Sequence, residues 1–236
     1  MSSSDTHIDT NSPTTVPAGL PGGNVSNPPS PSNPGLLPID TALRDIKAEL
    51  RSAMNGVAAA RIRESGMGYK LTFGIELPRL QAIAAEFQPD ARLAQALWHE
   101  DIRECKLLAT MLYPAEAFSA DLADVWTDTL RMEQAEVAQV LVMNLLARQP
   151  YASEKAFEWM ASDQPVKQLL GFLLLTRLFM QGCILNPSAE DEFLDQAAAT
   201  IQAPQLALKK AVQNALIRFG DTSDNAFKKT QRILCI

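Results

Sequence analysis

From Asp40 onward, apolar residues recur three and four positions apart: Leu43, Ile46, Leu50, Met54 and Val57, then Leu80, Ile83, Ala84 and Phe87, then Ile102, Cys105, Ala109 and Leu112. The same spacing runs through Val137, Val140, Leu141 and Leu145, through Val166, Leu169, Leu170 and Leu173, and through Val212, Ala215, Leu216 and Phe219. That period places one apolar stripe on each of a series of amphipathic helices. No stretch alternates long enough to predict a strand, so the pattern predicts an all-α fold. Prolines at Pro78, Pro89, Pro114, Pro150, Pro165, Pro187 and Pro204 punctuate it, several where a first helical turn tolerates them.

The predicted helices are short and come in pairs. Three share an opening, an apolar residue and then a base: "DIRECKLLATML", "PVKQLLGFLLLTRLF" and "LALKKAVQNALIRF", with Arg103, Lys167 and Lys209 as the bases. "EVAQVLVMNLLAR" fits the apolar pattern without the base. Measured from Ile102, Val137, Val166 and Leu208, the intervals are 35, 29 and 42 residues. Irregular repeats of this length, each covering two helices, fit a helical solenoid, and an irregular bundle is the alternative. In a solenoid the second helix of each pair lines one inner surface, which would gather Arg103, Lys106, Lys167, Lys209 and Lys210.

Composition divides the chain in two. Residues 1–38 hold eight of the 15 prolines, amid Ser, Asn, Gly and Thr, and cannot bury enough apolar area to offset the entropy of ordering. The expectation is a disordered tail over 1–39 and a helical repeat domain over 40–236. The net charge of −6 argues against a general nucleic-acid binder. The charge is uneven, however: residues 201–236 carry six basic residues against two acids. Lys210, Asn214 and Arg218 fall four apart on one face of a helix, with Lys209 beside them, a pattern that fits either a solvated helix face or a surface for phosphates.

Other chemistries find little support. His7 and His99 are the two histidines, which leaves no His-rich metal cluster and no His-based triad. The three cysteines have no metal spacing, and no Gly-rich phosphate loop or Gly-x-Ser-x-Gly elbow occurs. No cofactor is expected. The most apolar window, "VKQLLGFLLLTRLFMQGCIL", contains Lys167 and Arg177 and reads as a buried helix rather than a membrane span. With no secretory signal, a cytoplasmic protein is expected.

Three stretches in order, "YKLTFGIELPRLQAIAAEF", "LAQALWHEDIRECKLLATMLY" and "LKKAVQNALIRFG", resemble the DNA alkylation repair family, over about residues 42–220. The resemblance implies a right-handed α-solenoid of HEAT-like repeats, with duplex DNA as partner. It also implies an activity, the excision of cationic 3- or 7-alkylpurines. There a carboxylate would stabilise an oxocarbenium-like sugar while aromatic faces and basic residues hold the DNA. By that resemblance the carboxylate is Glu136 or Asp128, or the amide Gln139 stands in its place, and the aromatic is Trp126, flanked by Leu122, Val125 and Leu130 as a core residue would also be. Tyr69, Arg103, Lys106, Lys167, Lys209, Lys210, Asn214 and Arg218 are the DNA-binding candidates. The family pattern is not intact: Leu130 stands four residues after Trp126 where an Asp is wanted, and Asn214 falls where the family has a Trp. A second reading stays open, a non-catalytic scaffold binding a protein partner or distorted DNA.

Overall fold

A computed structural model describes residues 38–234. The tail expected over 1–39 lies outside the described residues except for Pro38 and Ile39, which open the first helix, and Cys235 lies outside them as well.

Twelve α-helices fill the described residues: α1 (Ile39–Ser52), α2 (Gly56–Glu64), α3 (Leu77–Ala84), α4 (Ala91–His99), α5 (Arg103–Leu112), α6 (Ala120–Asp128), α7 (Ala135–Asn144), α8 (Ala152–Met160), α9 (Pro165–Met180), α10 (Pro187–Thr200), α11 (Leu206–Gly220) and α12 (Asp224–Leu234). Among these residues there is no strand, only one isolated bridge between Leu71 and Ile102. The starts follow from local chemistry. Asn55, Asp90, Ser119 and Asn186 cap α2, α4, α6 and α10 by accepting backbone N–H groups. Prolines occupy the first turns of α3, α9 and α10, where their missing N–H costs nothing.

The packing order is that of a solenoid. The second helices form a series in which α3 packs on α5, α5 on α7, α7 on α9 and α9 on α11. The first helices α4, α8 and α10 back onto α5, α9 and α11, and α12 closes the far end against α11. Close approach within a pair depends on Gly171. A Cβ there would stand 2.5 Å from the Met160 nitrogen and 2.8 Å from the Ala156 oxygen, so α9 lies directly on the backbone of α8.

Aromatic residues fill the joints between repeats. Trp98 and Trp126 stack with centroids 4.1 Å apart and planes at 9°, and Tyr113 and Phe118 meet Trp126 edge-on. Trp159 is buried, and its indole N–H donates to Asp124 at 2.9 Å. No described helix is long and apolar enough to cross a membrane.

Candidate nucleic-acid interface

The two stretches "TFGI" and "REC" turn out to be halves of one structure. Glu104 is fully buried. Its Oε1 accepts from the Thr72 hydroxyl at 3.1 Å, Gly74 N at 3.0 Å and Ile75 N at 3.3 Å, and its Oε2 accepts from Phe73 N at 3.0 Å. Gly74 is required at this turn: its φ is +71°, and a Cβ would meet Ala59 N at 2.4 Å. Arg103 completes the network. It donates from Nη1 to Glu104 and to the Ile75 oxygen, and from Nε and Nη2 to both oxygens of Glu136 at 2.7 and 2.6 Å.

This arrangement removes Arg103 from the row of surface cations expected from sequence. Because α5 is covered by α3, α4 and α7, Arg103 is only 5% exposed. Burial disfavours its charge, but the hydrogen bonds and charges of Glu136 and Glu104 outweigh that and hold the guanidinium above its ordinary value. Lys106 is buried for the same reason. It donates to the Trp98 oxygen at 2.9 Å and lies 4.7 Å above the Trp98 ring. Burial lowers its pKa. Both cations brace the first repeats and face no open surface.

The two candidate carboxylates are each neutralised by a candidate cation. Glu136 is gripped by Arg103, and Asp128 pairs with Lys167 at 2.8 Å. Trp126, buried in the aromatic stack, offers no face to a ligand. Tyr69 is half-buried beside the Arg103–Glu136 pair, and its hydroxyl is enclosed without a hydrogen-bond partner. Burial, then the charge of Glu136, pushes that phenol well above its usual range. Arg131 closes the edge of this cluster by donating to the Gly68 oxygen and to Asp101. Thus Tyr69, Arg103 and Glu136 converge, whereas Asp128 and Trp126 belong to α6 and contact Lys167 and Trp98 instead.

The end of the solenoid differs. On α11, Lys210 and Asn214 are exposed and Lys209 is half-buried, and neither lysine has an ion-pair partner among the described residues. Arg218, on the same helix, pairs with Asp221 at 3.2 Å. Two further cations outside the DNA-binding candidates, Arg148 and Arg177, likewise form no ion pair among the described residues, and the Arg177 Nε is buried without an acceptor among them. No group of three metal-ligating side chains forms among the described residues.

The sequence model of the DNA alkylation repair enzyme family matches residues 46–229. The chain belongs to that family. Comparison with curated proteins gives no match. Among solved structures, the fold matches a protein described as one of a new family related to the HEAT-like repeat DNA glycosylases, with affinity for branched DNA structures. The two are 19% identical, the match covers 81% of each chain, and the TM-score is 0.68. At that identity the likeness establishes a shared HEAT-like repeat fold. The family match adds an association with DNA repair.

Proposed function

We propose that this family member binds DNA through the second-helix layer at its α9–α11 end, without operating as an efficient alkylpurine glycosylase. The observation that carries the reading is the contrast in pairing. Lys209 and Lys210 hold no acid, whereas every candidate carboxylate for base excision already holds a cation. A carboxylate bound in two places by a guanidinium has little negative charge left for a developing oxocarbenium ion. The negative net charge makes the binding local: phosphate contacts fall on α11 and its neighbours, while the acidic body stays clear of the DNA. The affinity for branched DNA described for the structural relative supports a DNA ligand.

Excision remains the second reading, favoured by one feature. Glu136 is about one-third exposed and stands beside an aromatic hydroxyl, so substrate could draw it away from Arg103. Two measurements on purified protein separate the readings. In fluorescence anisotropy at low salt, a labelled duplex should bind wild type, and Lys209→Glu with Lys210→Glu should remove most of that binding. Release of methylated purine from alkylated DNA should stay at the spontaneous rate in wild type and in Glu136→Gln alike. Release well above that rate, lost in Glu136→Gln, would establish the glycosylase instead.

A further inference from the structure

Large apolar side chains are exposed near the C-terminal ends of α7, α9 and α11, where solvated ones would be ordinary. Met143 is the penultimate residue of α7, Met180 the last of α9, and Ile217 lies near the end of α11. They are 43%, 55% and 48% exposed. The direction is fixed by Gly171, which faces α8. At about 100° per residue, Leu173 and Met180 lie about 160° and 180° around the helix from it, and therefore point away from α8. Because α9 packs between α7 and α11, the three exposed residues stand on consecutive helices of one layer. Met180 also shares an open cleft of about 510 Å³ with Ile184 and Arg218.

Arg218 on this side pairs with Asp221, but other cations here form no ion pair among the described residues. Lys210 and Arg177 form no ion pair, and the buried Arg177 Nε has no hydrogen-bond partner, among the described residues. Arg148, also without an ion pair, lines a groove of about 500 Å³ beside Met111 and Asn144; Glu116 is the acid in that groove. A continuous duplex presents phosphates and hides its base faces, so it could use these cations but not the apolar residues. DNA interrupted by a branch or gap exposes base faces next to phosphates. Methionine and isoleucine are among the side chains that pack on unstacked base steps, and the polarisable sulfur favours aromatic faces.

We infer that Met143, Met180 and Ile217 form an apolar ridge contacting the unstacked bases of branched or gapped DNA, while Arg148, Arg177 and Lys210 hold the adjoining phosphates. The ridge would then set a preference for interrupted over continuous duplex. This inference rests on the DNA-binding reading above, and the test keeps the two apart. A labelled three-way junction with unpaired nucleotides at its centre is titrated by anisotropy beside a continuous duplex of equal length, at one salt concentration. Wild type should favour the junction by about tenfold, the scale of one base contact. The triple variant Met143→Gln, Met180→Gln, Ile217→Gln should bring the two affinities close to parity with duplex affinity unchanged; thermal unfolding checks that it folds. Lys209→Glu with Lys210→Glu should weaken both ligands alike. A junction preference retained by the triple variant, equal losses on both ligands, or no preference in wild type overturns the ridge alone. No binding of either DNA overturns the DNA reading itself.

Discussion

Removing the charge of Glu104 tests whether the residues that mark this family serve its frame. In Glu104→Gln the amide oxygen can take the place of Oε1 and keep Thr72, Gly74, Ile75 and Arg103 as donors. The amide nitrogen then faces the Phe73 N–H, which donates to Oε2 in the native protein, and that buried donor is left unsatisfied. An unsatisfied buried N–H costs about 1–3 kcal/mol, and the weakened charge-assisted bond to Arg103 adds a similar amount, so about 3 kcal/mol is expected in total. For a domain of this size each kcal/mol moves the melting temperature by about 2–4 °C. Circular dichroism at 222 nm should therefore show a fall of about 6–12 °C. Glu104→Ala removes the carboxylate acceptors and leaves Arg103 with Glu136 and the Ile75 oxygen, at a cost of about 3–5 kcal/mol. A shift under about 2 °C for either variant would refute the argument that this carboxylate organises residues 72–75.

The remaining expectations follow from single contacts. Gly171→Ala drives a methyl into the α8 backbone and should lower stability by about 1–3 kcal/mol in urea unfolding; an unchanged midpoint would contradict the close approach of α8 and α9. Burial, then the charge of Glu100, pushes the Cys105 thiol up to about 12, so iodoacetamide at pH 8 should label half-exposed Cys183 and spare Cys105 until the protein is denatured. The folded value lies above the ordinary thiol value of about 8.5, so the stability gained by keeping this thiol neutral is complete below about pH 8.5 and declines as pH rises toward 12. Asp124→Ala removes the acceptor of Trp159 Nε1 and leaves Lys155 with Glu158 alone, and should destabilise by about 1–3 kcal/mol; a red shift of tryptophan emission on unfolding at a lower midpoint reports it.

The helices and their stacking were legible because burial imposes its own period. Leu169, Leu170 and Phe172 on α9, or Val212, Ala215 and Leu216 on α11, are apolar because they face neighbouring helices, and the sequence shows that directly. The candidate site was less legible. Arg103 and Lys209 follow the same local wording, an apolar residue and then a base, yet one is enclosed and the other is not. The difference lies in what surrounds α5 and α11, since α5 is covered by three helices and receives Glu136 from the next repeat. Asp128 and Lys167 lie far apart in sequence and neutralise each other through the α6–α9 contact, which no local spacing announces. Met143, Met180 and Ile217 continue apolar runs, and no local spacing marks them as the exposed positions they are.

The most direct measurement is the salt dependence of DNA affinity, taken between about 50 and 200 mM with wild type and with Lys209→Glu, Lys210→Glu. Each neutralised phosphate contributes about −0.9 to the slope of log affinity against log salt. Wild type should show a slope of about −3 to −4 from Lys209, Lys210 and the unpaired arginines, and the double variant a slope about 2 shallower. A flat response in wild type, or the same slope in both proteins, would contradict DNA binding through this end of the solenoid.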